Sequence, residues 1–400
     1  MNSQVVIVGA GPAGALLAYL LSSRQIETTL IERHSDFARE FRGEILMPSG
    51  IRALADAGFS LDQISTSVPR VFEGYLNGRC FASLEGEDDG TLRPTAVSQP
   101  ELLENLVSMA ERTGSFQLLR GHTVRGISQD EHGRTSLRLA TSGADHEKII
   151  ETPFLIGADG RSSLIRKRLG SAVRKTSAPL DVVWFKMPYP EAWSDPKVRF
   201  EFGKGHLLIA IRSADGLLQV GWIILKGTFG ELRSKGIDEW VDTMCLHADS
   251  ELAAHLARYR DRISKPILLD VVTDRVLGWS SPNTLLIGDA AHSMSPVGGQ
   301  GVNIALRDAI VAANELVPAF RNGTDLNRAA ANVEALRGPE IDRIQALAAI
   351  PPKIAMGRSR IHDLARFGIS QLIGSKIGRA RAGRIAQIFF DGVTTVQLTV

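Results

Sequence analysis

Residues 4–33 read QVVIVGAGPAGALLAYLLSSRQIETTLIER. The apolar, β-branched run at 5–8 predicts a buried parallel strand. Small and helix-favouring residues at 13–21 predict a helix directly after it, and the apolar run at 28–31 predicts a second strand that ends at Glu32. A strand, a helix and a second strand in this order predict an α/β protein that begins with a Rossmann-like unit.

Three glycines in this stretch form G-x-G-x-x-G, and each has a mechanical role. Gly9 permits the tight turn after the strand, Gly11 lets the backbone approach a pyrophosphate, and Gly14 lets the helix pack closely on the strand. The helix N-terminus offers unpaired N–H groups to phosphates, and Glu32 can accept hydrogen bonds from ribose hydroxyls. The motif predicts an adenine dinucleotide, NAD or FAD, bound by Gly9, Gly11, Pro12, Ala13, Gly14, Glu32 and Arg33.

The composition is that of an ordinary globular enzyme. The 400 residues are 44% hydrophobic and 22% charged, and this length suggests two closely joined domains. The chain has no signal-peptide pattern at its start and no run of 18 uninterrupted apolar residues. Its two cysteines, Cys80 and Cys245, lie far apart, which argues against a zinc site or a dithiol centre and for a reducing compartment. We therefore expect a cytoplasmic enzyme without a metal.

The pattern changes along the chain. Residues 118–127, 136–139 and 148–151 predict a small antiparallel set of strands, whereas the longer β-rich runs of 181–225 predict an antiparallel sheet with one covered face. Parallel-strand patterning returns at 284–289, and mostly helical sequence follows a glycine-rich loop. These changes predict a discontinuous FAD- or NAD-binding domain (1–75, 98–180 and 276–330), a β-sheet substrate domain (76–97 and 181–275) and a C-terminal helical segment (331–400).

Three motifs in order give the chain a family resemblance. They are GAGPAG followed by Glu32, then GADGRSSLIRKRLG at 157–170, then LIGDAAHSMSPVGGQGVNIALRD at 286–308. Together they resemble the flavoprotein monooxygenase family of the para-hydroxybenzoate hydroxylase fold (group A). The resemblance implies a Rossmann-like FAD-binding domain with a parallel sheet, an interleaved antiparallel substrate domain and C-terminal helices.

The resemblance also implies which residues contact FAD. The glycine motif would hold the ADP part, Asp159 would lie near the pyrophosphate and the nicotinamide cofactor, and Asp289 would contact the ribityl chain. The loop of Pro296, Gly298 and Gly299 would line the flavin, and because it lacks bulk its N–H groups can approach the ring and stabilise charge near N1. The remaining contacts carried over are Arg42, Gln99, Gly288, Gly301, Val302 and Asn303.

Plainer roles stay open for these motifs. Asp289 can be the N-cap of the following helix, and Asp159 can form a turn-stabilising ion pair with Arg161. The loop at 296–301 can be a flexible connector. The order of the three motifs favours the functional interpretation.

In the family, NAD(P)H reduces tightly bound, non-covalent FAD, and dioxygen then gives a flavin C4a-hydroperoxide that transfers one oxygen atom. The resemblance thus implies hydroxylation of an aromatic or polyketide-like small molecule, with no catalytic side chain assigned. Because the chain has one dinucleotide motif, NAD(P)H is expected to bind transiently. A flavin-dependent oxidase or reductase without oxygen insertion, or a non-catalytic flavin-binding protein, is the alternative.

Substrate contacts are expected between the antiparallel sheet and the flavin loop. An arginine there favours an anionic or phenolate substrate, and His206 can titrate near neutral pH. The alternative is that these positions are core or solvent-facing, since side chains alternate along a strand. The candidates are Trp184, Arg199, His206, Arg212 and Trp222.

The C-terminal end is basic. Residues 353–400 contain eight Lys or Arg and two Asp, a net charge of 8 − 2 = +6, so the rest of the chain carries 2 − 6 = −4. A peripheral membrane contact is one interpretation, and a solvated helix packed by its apolar side is the favoured one. No feature supports nucleic-acid binding, and the oligomeric state is not predicted.

Overall fold

The computed structural model describes residues 3–38, 44–86, 91–141, 147–176, 180–203, 205–357, 359–374 and 376–400. The strands are β1 Val5–Val8, β2 Thr28–Glu32, β3 Ile45–Leu46, β4 Thr66–Ser67, β5 Val71–Leu76, β6 Arg79–Glu85, β7 Thr95–Val97, β8 Phe116–Arg120, β9 His122–Gln129, β10 Thr135–Thr141, β11 Glu147–Thr152, β12 Leu155–Gly157, β13 Val173–Thr176, β14 Leu180–Met187, β15 Lys197–Gly203, β16 His206–Arg212, β17 Leu218–Leu225, β18 Ile267–Leu269, β19 Thr273–Val276, β20 Ser280–Ser281, β21 Thr284–Leu286 and β22 His292–Ser293. The helices are α1 Pro12–Ser22, α2 Pro48–Asp56, α3 Gln99–Glu111, α4 Leu164–Leu169, α5 Phe229–Lys235, α6 Ile237–Cys245, α7 Ser250–Arg258, α8 Gln300–Asn322, α9 Leu326–Ala348, α10 Ile350–Ala355, α11 Arg360–Gly374 and α12 Lys376–Asp391.

A parallel sheet forms the core around the opening strand. Its order in the described part of the chain is β20-β21-β12-β1-β2-β8, in which only the edge strand β20 is antiparallel. Every residue of β1 is buried in a core that α1 and α8 share with Leu137 and Leu139 of the antiparallel β9–β11 sheet. This burial explains the continuous apolar run of its sequence. The expected Rossmann-like α/β fold is confirmed.

A second, seven-stranded sheet has the order β18-β14-β17-β16-β15-β5-β6 within the described residues. Its pairs are antiparallel except β15 with β5. One face is covered by α5, α6 and α7, where Trp222 and Leu208 pack with Trp240 and Leu252. The other face carries Val198 and Ile211, which pack with Ile45. Since Ile45 lies beside Gly299, this second face is the one turned toward the glycine-rich loop.

Two details differ from the sequence-based expectation. Residues 118–127 are not one antiparallel strand: β8 is an edge strand of the parallel sheet, and β9 belongs to a separate antiparallel sheet with β10 and β11. Gly121, at a φ of +70°, lets the chain turn between them. The whole β5–β6 hairpin lies in the seven-stranded sheet, so the domain boundary expected at residue 75 falls inside β5. The division into domains stays a prediction.

The C-terminal segment borders the space between the two sheets. Met356, after α10, packs with Val182 and Ile223 of the seven-stranded sheet, and α11 then contacts β5 and β6. Phe389 of α12 lies against Gly298 in the glycine-rich loop. C-terminal helices thus close this space, as the resemblance implied.

The outer side of α11 remains apolar and exposed. Ile361 and Leu364 are 78% and 72% exposed, so α11 is not a helix that buries its whole apolar side. Arg366 is buried instead and donates hydrogen bonds to the carbonyls of residues 354, 355 and 357. Among the described residues, no helix has the length and hydropathy needed to cross a bilayer. The peripheral membrane contact stays a prediction.

Candidate active site

The three sequence motifs meet at one edge of the parallel sheet. β12 lies between β1 and β21, so the loops that follow these strands emerge side by side. A Cβ added to Gly9 would lie 2.3 Å from the carbonyl oxygen of Ala158, and one added to Gly288 would lie 3.2 Å from Cβ of Ala13. Residues nearly 280 positions apart therefore form one crevice outside the carboxyl ends of the strands, the usual ligand position in such sheets.

The glycines of the first motif have different structural requirements. Gly9 has a φ of +102°, which favours glycine. Gly14 has no room for a side chain, because its Cβ would lie 1.9 Å from the carbonyl oxygen of Gly9. Gly11, by contrast, has an ordinary φ of −72° and no atom within 4 Å of an added Cβ. The protein itself requires the first two glycines, whereas the open space at Gly11 fits a bound pyrophosphate.

Two helices that border this site, α1 and α8, begin without a side-chain cap. The N-cap of α1 is Gly11 and that of α8 is Gly299, and neither offers a capping side chain to the first-turn N–H groups. A Cβ at Gly301, in the first turn of α8, would also meet no atom within 4 Å. Uncapped helix N-termini bind negative charge through their orphan N–H groups and the helix dipole. The donor set therefore fits a diphosphate at α1 and an electron-rich ring edge at α8.

Glu32 forms hydrogen bonds with the turn of the first motif, directly after β1. Its buried carboxylate accepts hydrogen bonds from the backbone N–H of Ala10 at 3.0 Å and of His34 at 2.9 Å. Each carboxylate oxygen can accept a second hydrogen bond, so these contacts are compatible with ribose recognition. Arg33, the next predicted contact, is exposed and its Nε lies 2.9 Å from Nε2 of His34.

Asp159 combines a capping role with an unused acceptor. Its Oδ2 accepts hydrogen bonds from the backbone N–H groups of Leu164 and Ile165, which caps the short helix α4. Its Oδ1 is buried without a hydrogen-bond partner, and burial raises the pKa of this carboxyl above its ordinary value. Arg161 points elsewhere, because its Nη1 donates to the carbonyl oxygen of Asp270. The orphaned Oδ1 is a place for a donor from a bound ligand.

The loop that carries Asp289 is fixed from helix α8. Asp308 accepts hydrogen bonds at Oδ2 from the backbone N–H of Gly288 at 3.1 Å and from Nε2 of His292 at 2.7 Å. Burial alone would raise the pKa of Asp308, but His292 and Arg337 outweigh it and lower the pKa to about 2. Asp308 is therefore an anion that holds both ends of the Asp289 turn.

A buried ionic network continues from Asp308 to the C-terminus. Arg337 of α9 donates to Asp308 Oδ1 at 2.8 Å and also binds Glu340. Glu340 binds Arg307 and accepts a hydrogen bond from the backbone N–H of Val393 at 2.7 Å. All four of the charged side chains are almost completely buried. No sequence motif predicted this network, although charged residues inside the largely apolar sequence of α8 were a visible signal.

Hydrogen bonds from the first turn of α8 hold the glycine-rich loop in place. Asn303 donates from Nδ2 to the carbonyls of Gly299 (2.7 Å) and Ile45 (3.2 Å) and accepts at Oδ1 from the N–H of Met47. Gln300 donates to the carbonyl oxygen of Phe389 at 2.6 Å. Asn303 was expected to contact flavin; its side chain is fully buried and hydrogen-bonded within the protein. Its contribution to a cofactor site is to fix the loop and to offer its backbone.

The other predicted cofactor contacts fall in different places. Gln99 is buried at the first turn of α3, and Val302 is buried in the first turn of α8. Pro296 is partly buried within the glycine-rich loop. Arg42 lies outside the described residues.

The predicted substrate contacts divide between the two faces of the seven-stranded sheet. Arg199, His206, Arg212 and Trp222 share the face that α5–α7 cover, whereas Trp184 lies on the face turned toward the glycine-rich loop. The alternation of side chains along a strand produces this division, and the sequence could not say which parity faces which side. The first four residues therefore face away from the glycine-rich loop and the space beside it.

Arg199 is instead the centre of a buried ionic cluster. It is 1% exposed and pairs with Glu73, Asp249 and Glu251 at 2.8–2.9 Å. Its guanidinium also lies 4.4 Å from the ring centroid of Trp193. Through these ion pairs Arg199 holds α7 against the sheet.

His206 and Trp222 belong to a second group on the same face. Nε1 of Trp222 lies 3.4 Å from Nδ1 of His206, and the His206 ring stacks on His247 with centroids 3.9 Å apart. Arg212 lies over the ring of Tyr189. These contacts stabilise the covered side of the sheet.

Comparisons with known proteins identify the family. A family model described as FAD binding domain matches residues 2–329. The chain belongs to this family. It is 28% identical over 385 residues to 6-methylpretetramide 4-monooxygenase of Streptomyces rimosus, a match that covers 93% of this chain and 89% of that protein. It is 27% identical to kynurenine 3-monooxygenase of Salinispora arenicola, with 85% and 77% covered.

Other relatives are longer than this chain. A 3-(3-hydroxy-phenyl)propionate/3-hydroxycinnamic acid hydroxylase of Comamonas testosteroni is 26% identical, and the match covers 77% of this chain but 51% of that protein. Among solved structures, p-nitrophenol 4-monooxygenase PnpA from Pseudomonas putida superposes with a TM-score of 0.79 at 17% identity, covering 98% of this chain and 99% of that one. PqsL of Pseudomonas aeruginosa gives 0.78 at 20% identity, covering 92% and 100%. These structures share the fold.

The family comparisons confirm several expectations together. The resemblance to group A flavoprotein monooxygenases, the α/β fold with its interleaved antiparallel sheet, and FAD as the cofactor are confirmed. The chain is an FAD-dependent oxidoreductase of the monooxygenase type. The individual cofactor contacts stay predictions that the geometry above supports.

Proposed function

We propose that this FAD-dependent monooxygenase uses NAD(P)H and dioxygen to hydroxylate an aromatic or polyketide-like small molecule. The observation that supports it best is the crevice where the loop before the uncapped N-terminus of α1 contacts Asp159, whose Oδ1 has no hydrogen-bond partner within the protein. This crevice offers donors for a diphosphate and an unused acceptor, and Gly299 begins a second helix, α8, whose N-terminus also lacks a side-chain cap. The match of 6-methylpretetramide 4-monooxygenase across 93% of the chain supports the same proposal.

Each part of FAD has residues suited to hold it. The N–H groups behind Gly11 suit the diphosphate, Glu32 suits the adenosine ribose, and Asp289, partly buried at the end of β21, suits the ribityl hydroxyls. The space in front of Gly301 suits the flavin ring. When bound, FAD supplies hydride acceptance from NAD(P)H and oxygen activation.

The protein supplies electrostatics and positioning to that chemistry. The first-turn N–H groups of α8, with the positive end of the helix dipole, stabilise negative charge near the flavin edge. Asn303 and Gln300 hold the loop in place before any ligand arrives, so little reorganisation is needed. The seven-stranded sheet and the C-terminal helices line the space beside the loop with apolar side chains, which a bound substrate would cover and so keep water from the flavin.

NAD(P)H would bind transiently, since the sequence has one dinucleotide motif and that motif is assigned to FAD. We propose that the enzyme acts in the cytoplasm, where this reductant is available. An oxidase or reductase that inserts no oxygen would use the same crevice, so the experiment must separate electron transfer from oxygen transfer.

The test is anaerobic stopped-flow reduction of the FAD-loaded protein by NADPH and by NADH, with and without phenols and fused-ring aromatics. Oxygen is then admitted and the products are analysed by mass spectrometry. Faster reduction with a ligand, followed by a product heavier by one oxygen atom, supports the proposal. Reduction without oxygen transfer would favour the oxidase or reductase alternative, and no reduction by either nucleotide would reject NAD(P)H dependence.

The cofactor part is tested separately by titrating FAD into the apo-proteins of wild type and Asp289→Ala. We expect the variant to bind FAD about 10-fold more weakly, since it loses one to two hydrogen bonds to the ribityl chain. Unchanged affinity would make Asp289 a structural residue of its turn.

A further inference from the structure

We infer that the substrate is a flat, fused-ring aromatic molecule without a carboxylate, bound against a row of residues that crosses the seven-stranded sheet. This inference rests on the proposed function and names the substrate class of the same site. The row consists of Trp184, Gly221, Ile209, Phe200 and Gly74, which are direct neighbours on β14, β17, β16, β15 and β5.

The row lies on the face turned toward the glycine-rich loop. Phe200 packs in one cluster with Ile45, and Ile45 lies 3.9 Å from the Cβ position of Gly299. Trp184 and Ile209 pack in a neighbouring cluster with Met356. The row therefore spans the wall opposite the position proposed for the flavin.

The side chains on this wall are apolar but not fully covered. Trp184, Leu207, Ile209 and Phe200 all remain partly exposed in central strands, whereas residues such as Val183 and Leu208, on the opposite face, are completely buried. Partly exposed apolar side chains in the middle of a sheet leave hydrophobic surface for a ligand to cover.

Two glycines make the wall flat. The Trp184 ring lies directly over Gly221, since a Cβ there would be 2.6 Å from a ring carbon. In the same way, Phe81 lies over Gly74 at 2.7 Å from its Cβ position. Each glycine lets an aromatic ring lie down on the sheet instead of standing away from it. Flat aromatic surfaces stack well on flat aromatic ligands.

The width of the wall sets the size of the ligand. Trp184 and Phe200 are three strand spacings apart, or about 14 Å. A single benzene ring would cover less than half of this distance, so it would leave apolar surface exposed. A molecule of three or four fused rings covers it.

The charges of the sheet decide against a carboxylate. Arg199 and Arg212, the cations first considered for an anionic substrate, lie on the opposite face and are engaged there. Among the described residues of the central strands β14–β17, Lys186 is the ionisable side chain on the wall side, and it binds Asp215 at 2.8 Å at the end of β14. A carboxylate placed on this wall would lose its hydration without gaining an unengaged cation from the described residues of these four strands, which is costly.

The experiment compares two ligands that differ in one group. FAD-loaded protein is titrated with 1,8-dihydroxyanthraquinone and with its 3-carboxylate, and binding is followed by the change in flavin absorbance. We expect the carboxylate to bind at least about 10-fold more weakly. Equal or tighter binding of the carboxylate would overturn the inference.

Three variants locate the binding. Trp184→Ala should weaken binding of 1,8-dihydroxyanthraquinone by about 10-fold, and Trp184→Phe, which keeps a ring, should lose less. Arg212→Gln, on the opposite face, should change neither ligand. If Arg212→Gln weakens the carboxylate, or Trp184→Ala and Trp184→Phe bind like wild type, the wall is not the substrate site.

The titration needs neither reduction nor oxygen, so it separates the two claims. Protein that discriminates between the ligands but is not reduced by NADPH or NADH keeps the inference and rejects the proposed NAD(P)H dependence. Protein that is reduced and hydroxylates a carboxylated single-ring compound in preference keeps the proposed function and rejects the inference.

Discussion

Asp308, in the buried middle of α8, accepts a hydrogen bond from the backbone N–H of Gly288, the residue directly before Asp289. The same oxygen accepts from His292 at the other end of the turn. A helix that starts at the glycine-rich loop thus also fixes the neighbouring loop. One carboxylate thus holds the Asp289 turn in place against the helix that follows the glycine-rich loop.

Replacing Asp308 with Asn should disturb the site and the fold together. The variant places an amide N–H₂ group where Asp308 accepts hydrogen bonds, and it removes the negative charge that pairs with the buried Arg337. Breaking a buried ion pair in this way costs about 3–5 kcal/mol of stability. We expect a lower free energy of unfolding in urea. We also expect that the molecules that remain folded bind FAD more weakly than wild type. Asp391→Asn, which removes an exposed pair with Arg52, is the matched control and should change stability by less than about 1 kcal/mol. Native stability and native FAD affinity in Asp308→Asn would show that the network does not hold the loop.

The sequence predicted the FAD half of the molecule well because its information is local. The turn at Gly9 and the close contact at Gly14 are set by neighbours in the motif or by the adjacent strand, so spacing alone indicates them. The contacts of Asn303 with residues 45 and 47 span more than 250 positions, and no local pattern specifies them.

Gly11 and Gly14 should respond differently to a side chain. Gly11→Val has room and an allowed backbone, so the apo-protein should keep its circular dichroism spectrum and melting temperature while its FAD content falls to near zero. Gly14→Val should fail to fold or lose roughly 3 kcal/mol or more, because its Cβ would overlap the carbonyl oxygen of Gly9. Normal flavin content in Gly11→Val would remove the pyrophosphate from this loop.

A double-mutant cycle should separate two effects of a side chain at Gly298, which are the clash with Phe389 and the backbone strain. An alanine at 298 has a φ of +81° and a Cβ that would lie 2.5 Å from Phe389 Cδ1, so Gly298→Ala combines backbone strain with a clash. Adding Phe389→Ala relieves the clash and leaves the strain, which is on the order of 1 kcal/mol. We expect the double variant to recover part of the FAD affinity that Gly298→Ala loses. Strictly additive losses would mean that α12 does not press on the loop.

The substrate half was harder to predict, since a period-2 pattern marks two faces without saying which one is covered. Trp184 and Trp222 are both tryptophans in neighbouring strands, yet they face opposite sides. The covered face is decided by α5–α7, which come later in the chain and pack through Trp240 and Leu252. Such contacts become visible only in the structure.

The pH dependence of stability should report a further buried carboxyl that the sequence pattern did not indicate. Glu201, on the covered face of β15, is 1% exposed, and burial together with the nearby Asp249 raises its pKa from 4.5 to about 8, although Arg199 opposes the shift. The folded protein therefore holds this proton more tightly than the unfolded chain. Stability is unaffected by Glu201 below about pH 4.5 and is lost progressively as pH rises to about 8.

Glu201→Gln removes the titration and keeps the shape of the side chain. We expect its free energy of unfolding to exceed that of wild type at pH 8 by on the order of a few kcal/mol, with the difference shrinking toward zero near pH 4.5. Urea unfolding at several pH values between 4.5 and 8 measures both proteins, and Glu131→Gln, at an exposed turn, controls for loss of one negative charge. A difference between wild type and Glu201→Gln that stays constant over this range would mean that Glu201 keeps an ordinary pKa and is ionised beside Asp249 at neutral pH.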